Sequence, residues 1–226
     1  MHLEVGIPSG DLTLYGHLAL PSDLKGWVVF AHGAGSSRKS PRNNWVANRL
    51  NERGFGTLLF DLLTPDEDRV FQNRFDIQRL GSRLLDATRW LMKSPYYHHR
   101  PIGFFGASTG AAAALEAAAH AGRDIPLYAI VSRGGRPDLA QVETLANLRL
   151  PTLMIVGGED REVIALNQRA KDRLPQARLV LVPGATHLFE EPGTLEEVER
   201  LAAQWFTENL QIWYQPHPDH PELENL

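Results

Sequence analysis

Cysteine is missing altogether from the 226 residues. That single absence removes disulfides, thiolate metal ligands and a cysteine nucleophile from consideration. Long hydrophobic runs are missing as well: none approaches the ~18 residues of a membrane-spanning helix. The opening stretch MHLEVGIPSGD has acids where a secretory leader carries a basic patch and an apolar core. A cytoplasmic protein without membrane attachment is therefore expected. Nor does charge of one sign dominate, because 23 Lys and Arg against 27 Asp and Glu leave a formal charge of -4. With no basic block to hold a polyanion, nucleic acid is not an expected partner and a small molecule is. These bulk features leave monomer and homodimer equally open.

The chain does contain an alternation of element types. Short β-type runs at 2–7, 12–20, 26–32, 56–61, 101–106, 126–132, 151–157 and 177–183 are separated by helical patterns. That order predicts the α/β class, a mostly parallel twisted sheet of eight strands with helices on both faces. From residue 26 onward the runs are continuously apolar, as strands covered on both faces must be. Between 43 and 53, Val46 and Leu50 share a face, and Gly54 follows where a left-handed cap is wanted. Apolar spacing through Ile77, Leu80, Leu84, Thr88 and Leu91 predicts a helix over 74–93. Thr194 and Glu197 form a capping-box pattern that opens a helix over 194–212, with Leu195, Val198, Leu201, Ala202, Trp205 and Phe206 on its apolar face. One domain over residues 1–214 is expected. The remainder, QPHPDHPELENL at 215–226, is too rich in proline and charge to bury much and is expected to be a loosely held tail.

GASTG at 106–110 matches G-x-S-x-G at the junction of a predicted strand and a predicted helix. A serine at the apex of so sharp a turn is strained, and its neighbours must be small because strands and helix crowd it; Gly106 and Gly110 meet that need. The turn presents the hydroxyl of Ser108 above the sheet, and the helix that starts there aims free N–H groups at any oxyanion formed nearby. The competing reading is a glycine-flanked helix cap.

A serine hydroxyl becomes a nucleophile only beside a base that is itself oriented by a carboxylate. PTLMIVGGEDREV ends a strand near Val156 and puts Asp160 in the next loop; ARLVLVPGATHLFEEPG ends one near Val182 and puts His187 in the next. All three residues thus fall at the C-terminal edge of a parallel sheet, where open α/β folds gather their sites. Glu159 and Asp138 compete with Asp160 for the acid. His98, His99, His120, His217 and His220 follow no core strand at that edge.

With HGAGSS, GASTG, VGGEDREV and PGATHLF in this order, each after a predicted strand, the chain resembles the α/β-hydrolases, in particular their dienelactone-hydrolase-like group, from about residue 12 to about residue 210. The resemblance implies a triad of Ser108, His187 and Asp160, the last through the family's Gly-x-x-Asp pattern with Val163 downstream. It also implies an oxyanion hole from the backbone N–H groups of Thr109 and Ala34, with Gly33 and Gly35 letting that loop turn inward and His32 bonding within it. Dienelactone hydrolases proper use cysteine as nucleophile, so Ser108 points away from that substrate and toward serine esterase chemistry.

Arg38 and Arg42 follow the loop after the strand at 26–32, and Arg133 and Arg136 follow another strand at the same edge. A cationic rim made of these four arginines, with Arg38, Arg133 and Arg136 as the candidate substrate contacts, could select an acidic substrate; the alternative is that they fix loops by bonding carbonyls, Asp61 or Asp138. A dinucleotide fingerprint would need glycine at Arg38, and no Gly-Lys-Ser/Thr occurs, so neither cofactor loop is present. Trp45, Phe71 and Phe189 are expected to pack, and the histidines of QPHPDH at 215–220 are not taken as metal ligands. The expected activity is metal-free, cofactor-free cleavage of an ester, thioester or related acyl bond of a small soluble substrate at an open site with little or no lid. Two alternatives share the same residues: a catalytically silent binding module, and an acyltransferase.

Overall fold

Among the described residues, eight strands form one sheet in the order β1-β2-β4-β3-β5-β6-β7-β8. They are β1 (His2–Ser9), β2 (Leu12–Ala19), β3 (Gly26–Ala31), β4 (Phe55–Phe60), β5 (Ile102–Ala107), β6 (Leu127–Arg133), β7 (Thr152–Gly157) and β8 (Ala177–Val182). The computed structural model describes residues 1–215; apart from Gln215, the expected tail at 215–226 lies outside the described residues. The first two strands pair antiparallel around a two-residue turn whose Gly10 has φ 57°, a conformation that glycine adopts without penalty. β2 also runs antiparallel to β4, and every later pairing is parallel.

All residues of β3 through β7 are buried, which is why those runs read as continuously apolar. β8 departs from that reading. It closes the sheet as an edge strand, and Leu181 is 41% exposed.

Among the described residues, seven α-helices flank the sheet: α1 (Pro41–Glu52), α2 (Pro65–Asp68), α3 (Ile77–Lys93), α4 (Thr109–Ala119), α5 (Val142–Asn147), α6 (Arg161–Lys171) and α7 (Thr194–Trp213). On one face Leu80, Leu84 and Leu91 of α3 and Ala112 to Ala114 of α4 join a core that includes Val29, Phe104 and Ile130. The small alanine side chains let α4 lie close to the strands, and Gly81 lets α3 approach α4 so nearly that an added methyl would meet Ala113 O at 3.3 Å. Thr88 fits the apolar stripe of α3 because its hydroxyl donates to Leu84 O at 2.8 Å. On the other face Val46 and Leu50 of α1 and Val198, Ala202 and Phe206 of α7 pack with Val28, Phe105 and Val131. Phe206 sits between Phe55 and Tyr128, with ring centroids at 6.1 and 6.0 Å; truncating so buried an aromatic costs roughly 3–5 kcal/mol.

Several local expectations are corrected. α1 begins at Pro41, earlier than the apolar spacing implies, because Ser40 Oγ accepts from Asn43 N and proline occupies the first turn. α7 does not start with the Thr194–Glu197 capping box. Its cap is Gly193 at φ 80°, Thr194 Oγ1 donates to Glu191 O instead, and Glu197 binds Arg200. A capping box does open α2, where Thr64 and Glu67 bond reciprocally. Phe71 is not packing core: it is 63% exposed and rests on Phe75, in the 3₁₀ turn Phe71–Phe75, at 5.1 Å.

Candidate active site

Ser108 joins the end of β5 to the start of α4 with φ 53° and ψ −119°, a region that costs a non-glycine residue roughly 1–3 kcal/mol. Its backbone is held on both sides. Its N–H donates to Arg133 O at 3.1 Å, and its carbonyl accepts from Ala111 N and Arg136 N, both at 3.1 Å. The flanking glycines are sterically required, since a methyl on Gly106 would lie 2.4 Å from Ala111 Cα and one on Gly110 would lie 2.1 Å from Ala31 O. The serine side chain does not cap α4, and among the described residues its hydroxyl has no hydrogen-bond partner.

Asp160 and His187 are brought together by two loops laced through their backbones. Gly158 N donates to Val182 O at 2.8 Å and Glu159 N to Ala185 O at 3.0 Å. A methyl on Gly157 would strike Ala185 O at 2.4 Å, so the glycine that opens the Gly-x-x-Asp pattern is what allows the loops to touch. His187 Nδ1 and Asp160 Oδ2 are 2.6 Å apart, with side chains 39% and 15% exposed. The shared proton places the donor on Nδ1 and leaves Nε2 as an acceptor. The imidazole lies over Gly134, where a methyl would stand 3.4 Å from His187 Cε1. Gly134 directly follows Arg133, whose carbonyl holds Ser108 N, and so imidazole and serine share one neighbourhood at the strand ends. Among the described residues no hydrogen bond links Ser108 to His187; such contacts are often long without substrate. Neither rival acid approaches the imidazole: Asp138 is gripped by Arg136 through two bonds at 2.9 and 2.7 Å, and Glu159 is exposed.

The N–H of Thr109 stands in the first turn of α4, where a helix leaves its donors without internal acceptors. Ala34 N likewise has no acceptor among the described residues. Both residues line a small hollow of about 10 Å³, together with His32, Gly33 and Leu62. His32 is buried and accepts from Leu62 N through Nε2 at 3.0 Å, which puts its proton on Nδ1, 2.9 Å from Gly33 O. Burial lowers its pKa from the usual 6.5. A neutral His32 thus ties the loop at 33–36 to the segment after β4.

The arginines differ sharply. Arg38 forms an ion pair with Asp61 through Nη1, and its backbone N–H donates to the same carboxylate at 2.8 Å. Arg136 is held by Asp138. Arg133 is only 7% exposed, bonds Asn43 Oδ1 at 3.3 Å and stacks over Phe189, with no carboxylate on it among the described residues. Burial, reinforced by Arg42, pushes its pKa down to about 10. Gly134 escaped the sequence reading of the site, although the paired glycines of SRGGRPD after a strand were a signal for it. No cluster of three or more potential metal ligands occurs among the described residues, and no described helix is long and apolar enough to cross a membrane.

Residues 25–211 match the model of the alpha/beta hydrolase domain family. A dienelactone hydrolase of Anabaena variabilis is 48% identical, with a TM-score of 0.87 over 92% of this chain and 98% of that one. Est1E of Butyrivibrio proteoclasticus shares the fold at a TM-score of 0.78 and 17% identity, over 92% and 99% of the two chains. A Mycobacterium tuberculosis protein provisionally named a phosphoribosyl transferase is 55% identical over 208 residues, 92% of this chain but 46% of the relative. The chain therefore spans about half the length of that relative. By sequence and by architecture, the chain belongs to the α/β-hydrolase superfamily, within its dienelactone-hydrolase-like group.

Proposed function

We propose that the protein is a serine hydrolase that cleaves an ester, thioester or related acyl bond of a small soluble substrate. The observation that carries this reading is the 2.6 Å contact between His187 Nδ1 and Asp160 Oδ2, made at the same strand ends that present Ser108 in its strained turn. In the reaction, Ser108 Oγ attacks the acyl carbon while His187 Nε2 takes its proton. The oxyanion is held by the N–H groups of Thr109 and Ala34. His187 then returns the proton to the departing alcohol or thiol, and Asp160 stabilises the imidazolium in between. Water, deprotonated by the same imidazole, attacks the acyl-serine and frees the acid.

The test is covalent labelling by a fluorophosphonate, combined with hydrolysis of a short p-nitrophenyl ester. The expected outcome is one label per chain on Ser108, absent in Ser108→Ala and strongly slowed in His187→Ala, with ester turnover lost in parallel. A wild-type chain that neither labels nor turns over ester would make it a binding module on a hydrolase scaffold. Labelling with release of acyl group only to an added alcohol or amine would make it an acyltransferase.

A further inference from the structure

Arg133 poses a problem that the hydrolase mechanism leaves unsolved. A guanidinium so deeply buried is costly without a counter-charge, yet its one bond among the described residues goes to the neutral Asn43, and its Nε is buried without a partner. Arg42, close enough to depress the Arg133 pKa, also has a buried Nε without a partner. Its Nη1 is held by Glu190 Oε1 at 2.8 Å, a carboxylate that is itself 64% exposed. Arg42 and Asn43 lie in the first turn of α1, whose dipole adds positive potential. Three positive influences thus converge: the guanidinium groups of Arg133 and Arg42, each with an unmatched Nε donor, and a helix start. They converge beside the loop that carries His187, because Phe189 covers Arg133 and Glu190 reaches Arg42.

We propose that Arg133 and Arg42 form a subsite for an anionic group of the substrate, a carboxylate or a phosphate, and that Glu190 competes with that group for Arg42. This deepens the serine-hydrolase reading and rests on it for the link to turnover. Two N–H donors on each guanidinium offer the planar grip that such oxyanions fit. Arg38 and Arg136, tied to Asp61 and Asp138, are not available to share the task.

The experiment measures kcat/KM for a matched set of esters: a neutral acyl ester, its hemisuccinate-type analogue with a terminal carboxylate, and an analogue with a terminal phosphate. Arg133→Gln and Arg42→Gln should lower the anionic-to-neutral ratio by about tenfold or more, as expected for loss of a charge-assisted bond in a partly buried site. Glu190→Gln should raise it about two- to fivefold, the range of an exposed ion pair removed as competitor. Whichever anionic analogue shows these changes identifies the group. Ratios unchanged in both Arg42→Gln and Glu190→Gln overturn the proposal, whatever the behaviour of Arg133→Gln. If no ester is turned over, the hydrolase reading fails separately. The subsite is then judged by whether succinate or inorganic phosphate raises the melting temperature of Ser108→Ala protein and loses that effect in Ser108→Ala combined with Arg42→Gln; no effect in either overturns it.

Discussion

Asp160 and His187 meet at 2.6 Å across 27 residues of sequence, and the contact depends on a carboxylate that does little else. Asp160 occupies the cap position of α6 without capping it by its side chain. Replacing it with asparagine should therefore spare the fold while allowing the wrong imidazole tautomer. The expected result is a fall in kcat of about a thousandfold or more with a nearly unchanged melting temperature. Steady-state kinetics on a short p-nitrophenyl ester beside a thermal melt checks both halves, and near-normal turnover would move the acid role elsewhere.

Gly110 sets up a different expectation. The methyl of Gly110→Ala would stand 2.1 Å from Ala31 O and 2.5 Å from His32 O, and backbone atoms cannot yield as a flexible side chain can. Overpacking at the contact of α4 with β3 should destabilise the chain by roughly 3 kcal/mol. It should also displace Ser108, so fluorophosphonate labelling ought to fail even in the protein that remains folded. Denaturant unfolding and labelling on one preparation separate the two effects.

The central strands and the serine turn were legible in the sequence because the same physics acts locally and globally there. β3 through β7 need apolar residues on both faces, and Gly106 and Gly110 are demanded by the close approach of backbone, so letters and structure agree. Legibility failed where distant parts decide. α6 was not foreseen: REVIALNQRAK buries only Val163, Asn167 and Ala170, and one of those three is polar. The capping pattern at Thr194 was overridden by a hydrogen bond to Glu191 O. Among the arginines, composition could not tell paired from unpaired: Arg38 and Arg133 look alike in sequence, and only the fold gives a carboxylate to the first and Asn43 to the second.

Glu191 ties the His187 loop back on itself, accepting from Thr186 N at 3.1 Å and from the Thr186 hydroxyl. Those bonds hold its carboxyl below the usual 4.5. Glu191→Ala should loosen the loop and lower kcat by about three- to tenfold, a small misplacement of a catalytic group being costly. Because the loop lies at the surface, the melting temperature should barely change. Restoring most of the activity with Glu191→Gln, which keeps an acceptor for the Thr186 N–H, would assign the effect to that hydrogen bond.

His32 makes the last expectation one of acidity. Its Nε2 must accept the Leu62 N–H, which a protonated ring cannot do. With the folded-state pKa held below the usual 6.5 by burial, the unfolded chain binds the proton more readily than the folded one. Stability from this group is accordingly complete above pH 6.5 and declines as the pH falls toward the folded-state value. The loop bearing Ala34 should loosen in the same range, since it loses its tie to the segment after β4. Melting temperatures measured at about pH 7 and about pH 5 should differ more in the wild type than in His32→Asn, which has no titrating ring. An equal difference in the two proteins would place the acid sensitivity on other groups.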